Sequence, residues 1–169
     1  MYVKKVILLF ILGLFSPISS VFADTYVSGP ITQDTIWSLS GSPYIVTSDV
    51  TVQGPSSDIP ILTIEPGVQV KFNSGTSLGL GKGPYLQGIL VAQGNESNPI
   101  IFTSNNATPA SGDWYGIGIG NTTSATILDH CIIKYAGKRF WGNNLGSAIS
   151  CSSASPQIRN CTVDFSDCY

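Results

Sequence analysis

Two apolar segments with the same pattern limit what this chain can fold into more than any other feature. The segment 128–135 (LDHCIIKY) lies 30 residues before the segment 158–165 (IRNCTVDF). Their apolar positions match while the positions between them differ, as the pairs Leu128 and Ile158, Cys131 and Cys161, Ile133 and Val163, and Tyr135 and Phe165 show. Side chains alternate between the two faces of a strand, so these residues are expected to point into one core. The repeat predicts strands that stack in register.

Further strand-like segments precede this pair at intervals of roughly 27–31 residues. They are 44–46 with 50–52, 61–64, 68–72, 88–92, 99–103 and 116–119. On this interval the segment 88–92 should precede 116–119 by one repeat, and Ile119 should lie opposite Ile149. Gly- and Pro-rich turns separate the segments, and no helical period follows residue 23. An all-β solenoid is therefore favoured over a β-sandwich, which does not require like residues at the same phase.

Several of these segments carry motifs that resemble a known family. They are 62–72 (LTIEPGVQVKF), 88–94 (GILVAQG), 98–104 (NPIIFTS), 113–117 (DWYGI) and 131–137 (CIIKYAG). They resemble bacterial right-handed parallel β-helix repeat proteins, in the non-catalytic branch of the pectate-lyase-like superfamily, and the resemblance covers nearly all of 37–166. It implies a single-stranded right-handed parallel β-helix of roughly four to five coils. It leaves function open, because polysaccharide-degrading enzymes, adhesins and surface proteins share this fold.

Both ends of the chain bear on its organisation. Residues 1–23 combine Lys4 and Lys5 with an apolar run and small residues up to Ala23, the order of a secretory signal peptide. A transmembrane anchor would need roughly 20 apolar residues, so we expect a secreted or cell-surface domain over 24–169. Its C-terminal end should be uncapped, which suggests an N-terminal fragment of a larger surface protein, or an end covered by a further β-helix segment or another partner.

Charge excludes one class of partner. Only 11% of the residues are charged. Cleavage after Ala23 would remove Lys4 and Lys5 from the eight basic residues and keep all 10 acidic ones, so the formal charge would move from −2 to −4. A mildly acidic chain has no field that attracts phosphates, and no nucleic-acid partner is expected.

The cysteines predict packing more than metal binding. Cys131 and Cys161 share the inward phase of successive repeats, where a free thiol packs as a small apolar group. Cys151 and Cys168 are more open to disulfide pairing, which an exported chain permits, and the pairing stays open. The sequence has no CxxC motif and no Cys/His cluster, so neither a zinc site nor another cofactor is expected.

Catalytic residues are not evident. The single histidine, His130, adjoins Asp129, but adjacency does not define a triad, and its match with Asn160 suggests a polar turn. Asp129 is expected to form an exposed ion pair with Arg159, and Glu65 to shape a corner. The acidic residues include no Asp-Asp or Asp-x-Asp pair. We therefore favour a non-catalytic module, with a polysaccharide lyase or glycoside hydrolase as the alternative.

One loop suggests a ligand. Residues 137–146 interrupt the repeat and contain Lys138, Arg139, Phe140 and Trp141 between glycines. An aromatic ring beside two cations suits a sugar, so this loop predicts a site for polysaccharide or cell-surface glycan. Trp114, at the start of a strand, is expected to pack in the core. For Phe140 and Trp141, packing in the core and binding a ligand are equal alternatives.

Overall fold

A computed structural model describes residues 23–81, 85–120, 125–138 and 146–166. These residues form 16 short strands and one 3-10 turn, Leu39–Gly41, with no α-helix among them. The strands are β1 (Thr25–Ile31), β2 (Thr35–Trp37), β3 (Tyr44–Val52), β4 (Gly54–Pro55), β5 (Ile61–Ile64), β6 (Gln69–Phe72), β7 (Ser77–Leu80), β8 (Leu86–Gln87), β9 (Ile89–Gln93), β10 (Ile100–Ser104), β11 (Gly116–Gly120), β12 (Ile127–Asp129), β13 (Cys131–Lys134), β14 (Ile149–Ser152), β15 (Gln157–Arg159) and β16 (Thr162–Asp164). The all-β prediction is confirmed.

The strands form two larger sheets in which every pairing is parallel. One sheet has the order β14-β11-β7-β3-β6-β10-β13-β16, with β1 added on β3, and the other has the order β15-β12-β9-β5-β2. The long strand β3 bends, because its first half pairs with β6 and its second half with β7. A small antiparallel pair, β4 with β8, lies apart from them.

The core fills the space between the inner faces of these two sheets. Apolar residues alternate with polar ones along most strands, so each strand buries one set of side chains. Val70, Phe102 and Ile133 lie in one row across β6, β10 and β13, and all three are fully buried. Trp114 is also buried, and its ring stacks on Phe72 with centroids 3.8 Å apart. The packing role predicted for Trp114 is confirmed.

The register predicted from the repeat is confirmed for its strand positions. Leu128 lies opposite Ile158 and Ile133 opposite Val163. The inward position predicted for Tyr135 and Phe165 is wrong, because both residues have left-handed backbone with φ of 61° and 47° and stack on each other at a turn. Val163 is also 45% exposed, since β16 is an edge strand with a neighbour on one side only.

The predicted pairing of segments 88–92 and 116–119 is wrong as well. β9 lies in the five-stranded sheet between β5 and β12, whereas β11 pairs with β7 in the other sheet. Ile119 consequently lies opposite Cys151, and Ile149 lies opposite Ile117. The physical reason is turn length: partner residues are 26 apart at Val46 and Phe72 but 39 apart at Leu78 and Ile117, where the loop before β11 is inserted.

The last three strands in the sequence each lie at one end of a sheet. We call β14, β15 and β16 the edge strands, and most of their residues are exposed. The predicted signal peptide lies outside the described residues except for Ala23. Within the described ranges, no helix has the length and apolar character needed to cross a membrane.

Candidate functional site

A trough runs over the outer face of the nine-stranded sheet, where the second half of β3 is followed by β7, β11 and β14. Its floor is one register row of small side chains: Thr51, Gly79, Gly118 and Ser150. The residues on either side of this row, such as Leu78 and Leu80, point into the core. The floor of the trough therefore lies directly over the core, and the volume of the trough is about 390 Å³.

Backbone geometry does not require the glycines of the floor. A Cβ on Gly79 would lie 3.7 Å from the Thr51 side chain, and a Cβ on Gly118 would lie 3.7 Å from Ser150 Oγ, which are ordinary contacts. Neither glycine has a left-handed φ. Gly116, on the same strand, differs because its φ is 112° and a Cβ there would meet Ser147 O at 2.4 Å. The backbone conformation at position 116 thus requires glycine. At positions 79 and 118 a side chain would fit, and glycine leaves the space above the sheet open.

Tyr115 and Lys138 line the continuation of the trough at the amino-terminal ends of the strands, a further space of about 200 Å³. Lys138 Nζ lies 6.0 Å from the centre of the Tyr115 ring and donates a hydrogen bond of 3.1 Å to Ser74 Oγ. The Lys138 backbone N–H donates to Trp114 O at 2.9 Å. Trp114 is itself anchored, because its Nε1–H donates to Lys134 O at 2.8 Å. The buried tryptophan therefore fixes both trough-lining neighbours.

The trough carries both signs of charge. Asp49 lines the main space and accepts a 2.9 Å hydrogen bond from Ser77 Oγ on the next strand. Among the described residues that line the two spaces, Asp49 is the single carboxylate and Lys138 the single ammonium group. Asp49 can accept hydrogen bonds from a neutral or weakly charged polar ligand, and Lys138 can donate hydrogen bonds to it.

Of the four residues predicted to contact a glycan, the structure describes one. Lys138 lies at the trough, whereas Arg139, Phe140 and Trp141 lie outside the described residues. The trough itself was not predicted from the sequence. Its signal is the alternation of apolar residues with glycine in 78–81 (LGLG) and 117–120 (IGIG), which acquires meaning only when the two strands are known to be neighbours.

The carboxylate of Asp129 has a structural role. Its Oδ2 accepts from Arg159 Nε at 2.8 Å, and its Oδ1 accepts from Asn160 Nδ2 at 2.9 Å. The hydrogen bond from Arg159, followed by that from Asn160, lowers the pKa of Asp129 to about 2. The predicted ion pair with Arg159 is confirmed.

His130 has the geometry of a turn residue. Its φ of 48° matches the 52° of Asn160 in the next repeat, so the predicted polar turn position is confirmed. His130 Nδ1 lies 2.9 Å from Asp129 Oδ1 but is buried without a directed hydrogen bond. The hydrogen bonds of Asp129 are made with Arg159 and Asn160, and the structure shows none from Asp129 that would orient the His130 ring.

Two other acidic residues also fix loops. Glu65 Oε2 accepts from the Leu39 backbone N–H at 2.8 Å, which agrees with the predicted corner. Asp113 Oδ2 accepts from Ser104 Oγ at 2.6 Å and from Ala110 N–H at 3.0 Å. Partial burial raises the pKa of Asp113, but these hydrogen bonds outweigh it and the net pKa is lowered. In the described part of the chain, no three His, Cys, Asp or Glu residues are grouped as metal ligands would be.

Comparison with known proteins does not identify a relative of this chain. Comparison with protein-family models, with curated proteins and with solved structures gives no match to this chain. The geometry of the trough is therefore the observation from which a function can be inferred.

Proposed function

We propose that this chain is an exported, non-catalytic right-handed parallel β-helix module of the pectate-lyase-like kind, whose trough binds a polysaccharide or a cell-surface glycan. The β-helix is supported by parallel strands that recur along the chain and pair with their counterparts one repeat away. It is also supported by register rows that run through several repeats, such as Val70, Phe102, Ile133 and Val163. The first 23 residues support export.

The open floor of the trough is the observation that carries the binding proposal. Glycine inside a strand costs roughly 0.5–1 kcal/mol relative to alanine, yet Gly79 and Gly118 occupy positions where a side chain would fit. An extended chain of sugar rings can lie on such a floor and reach the hydroxyls of Thr51 and Ser150. The Tyr115 ring offers an apolar face with a polar tip, as many sugar sites do.

Charge at the ends of the trough adds hydrogen-bond partners. Asp49 supplies acceptors and Lys138 supplies donors. The predicted glycan residues Arg139, Phe140 and Trp141 follow Lys138 directly in the sequence. The same ligand would then contact the trough and this loop.

Binding without catalysis is favoured by the carboxylates. Glycosidases use two carboxyl groups roughly 5–9.5 Å apart, and the described lining residues supply one, Asp49, which is already bonded to Ser77. A polysaccharide lyase or glycoside hydrolase is the alternative function.

A glycan array tests the proposal. The chain is expressed with its first 23 residues, and the exported product is expected to begin at Asp24. Gly118→Thr places a branched side chain on the floor, so we expect affinity for any bound glycan to fall at least about tenfold. Val91→Thr is the matched control, since Val91 belongs to the five-stranded sheet and is half-exposed between the buried residues Leu90 and Ala92, and it should bind like the wild type.

Three further variants locate the contacts. Lys138→Ala, Arg139→Ala and Trp141→Ala are each expected to weaken binding while thermal melts stay near the wild type. Equal binding by Gly118→Thr and wild type would overturn the trough as the site. Release of oligosaccharides from any polysaccharide by the wild type would overturn the non-catalytic assignment.

The edge strands support an additional scaffold role. Ile158 is 42%, Val163 45% and Phe165 61% exposed, although each occupies the phase of a buried or stacked residue in the preceding repeat. We propose that a further β-helix segment pairs with this edge, because it would cover these apolar groups and the unpaired backbone groups together.

A further inference from the structure

Cys131 and Cys161 are placed as neighbours by the parallel pairing of β13 and β16. Ile132 lies opposite Thr162, and each cysteine immediately precedes one of these residues. Adjacent strands lie about 4.8 Å apart, and disulfides span Cα separations of about 4.4–6.8 Å. The Cα separation expected between neighbouring strands therefore lies within the range that a disulfide spans.

The two thiols have equivalent backbone contacts but different surroundings. Cys131 Sγ donates to Ala92 O at 3.4 Å, and Cys161 Sγ donates to Leu128 O at 3.5 Å, one repeat later. Cys131 is buried, whereas Cys161 is half-buried beside the exposed edge strands. The interaction between the two thiols, together with burial, raises the pKa of Cys131, and the same interaction lowers the pKa of Cys161. Because Cys161 is the more accessible of the two thiols, it is the one that a reagent reaches first.

We propose that Cys131 and Cys161 form an oxidisable dithiol, in which Cys161 attacks a low-molecular-weight disulfide of the glutathione type and Cys131 resolves the product. The Cys161 thiolate breaks the S–S bond of the reagent, forms a mixed disulfide and releases one thiol. The Cys131 thiol then gives up its proton and attacks Cys161 Sγ, which expels the second thiol and leaves the Cys131–Cys161 disulfide. The protein loses two electrons and two protons, and the reagent gains both as two thiols.

This dithiol is independent of glycan binding. The packing role predicted for Cys131 describes the reduced state, in which the free thiol fills the core. Oxidation would tie the edge strand β16 to β13 across a 30-residue loop, so the thermal midpoint should rise by roughly 5–15 °C.

Disulfide mapping tests the proposal. The reduced full-length chain is incubated under native conditions with oxidised glutathione, free thiols are alkylated, and the peptides are identified by mass spectrometry. We expect a peptide that links residues 131 and 161, with Cys151 alkylated. Cys151→Ser is the matched control and should keep the link.

Single variants separate the two roles. In Cys131→Ala, glutathione should accumulate on Cys161, because the resolving thiol is missing. In Cys161→Ala, oxidised glutathione should modify Cys131 at least about tenfold more slowly than it modifies Cys161 in Cys131→Ala. The wild-type map decides the question if a variant fails to fold. Alkylation of both thiols in the native chain, a link to Cys151 or Cys168, or a link formed only in denaturant would each overturn the proposal.

Discussion

Asp129 connects two successive repeats through one carboxylate. Its oxygens accept hydrogen bonds from Arg159 and Asn160, which lie on the neighbouring strand and its turn. Asn160 has left-handed backbone, as does His130 one repeat earlier, so Asp129 fixes a corner at which the backbone turns in both repeats. A residue next to a histidine, which could suggest catalysis, here stabilises the stacking of turns.

The lowered pKa of Asp129 predicts a pH dependence of stability. Its pKa is about 2 in the folded chain and about 3.9 in an unfolded one. Its contribution is therefore complete above about pH 4 and is lost as the pH falls from there toward 2. In urea unfolding, Asp129→Asn should be less stable than the wild type at pH 6, and the difference should shrink at pH 2.5.

Asp58→Asn is the control, because Asp58 is an exposed turn residue between β4 and β5. We expect its free energy of unfolding to stay within about 0.5 kcal/mol of the wild type. A difference between Asp129→Asn and wild type that is the same at both pH values would contradict the assigned ion pair.

Among the elements, β13 and β16 have matched sequences but different surroundings. Ile133 on β13 has strands on both sides and is fully buried, whereas its counterpart Val163 on β16 has one neighbour and is 45% exposed. The same inward phase therefore contributes differently to stability in the two strands.

Substitution by aspartate should separate these two positions. Ile133→Asp buries a charge without a partner and is expected to cost about 4 kcal/mol or more. Val163→Asp leaves its charge near water and should cost less than about 1.5 kcal/mol. Lys134→Ala is the control for an outward position and should change stability by about 0.5 kcal/mol or less. Equal losses for Ile133→Asp and Val163→Asp in thermal melts would contradict the edge position of β16.

The sequence predicted elements wherever like residues recur at a fixed interval. The match of Cys131, Ile133 and Leu128 with the next repeat sets strand phase directly, because a one-residue slip would expose every apolar side chain. The sequence could not predict which strands are neighbours, because the loops between them differ in length. It therefore does not identify β7 as the partner of β11. The trough was missed for the same reason, since Gly79 and Gly118 form a floor only when these strands adjoin.

At the scale of the whole molecule, the two parallel sheets make stability depend on position along the stack. Most strands from β5 to β13 are paired on both sides, while β14, β15 and β16 are paired on one. A strand with one paired neighbour makes fewer backbone hydrogen bonds and buries fewer side chains than a strand with two. It should therefore open more readily.

Native-state hydrogen exchange should therefore show a gradient. We expect the amides of β16 in the reduced chain to exchange at least about tenfold faster than those of β10, because local opening at an edge exposes fewer buried apolar groups. Peptides that cover β10 and β16 are followed by mass spectrometry at two chain concentrations. Slow exchange in β16 at both concentrations would contradict an open edge, whereas slowing only at the higher concentration would show that copies of the chain cover this edge for one another.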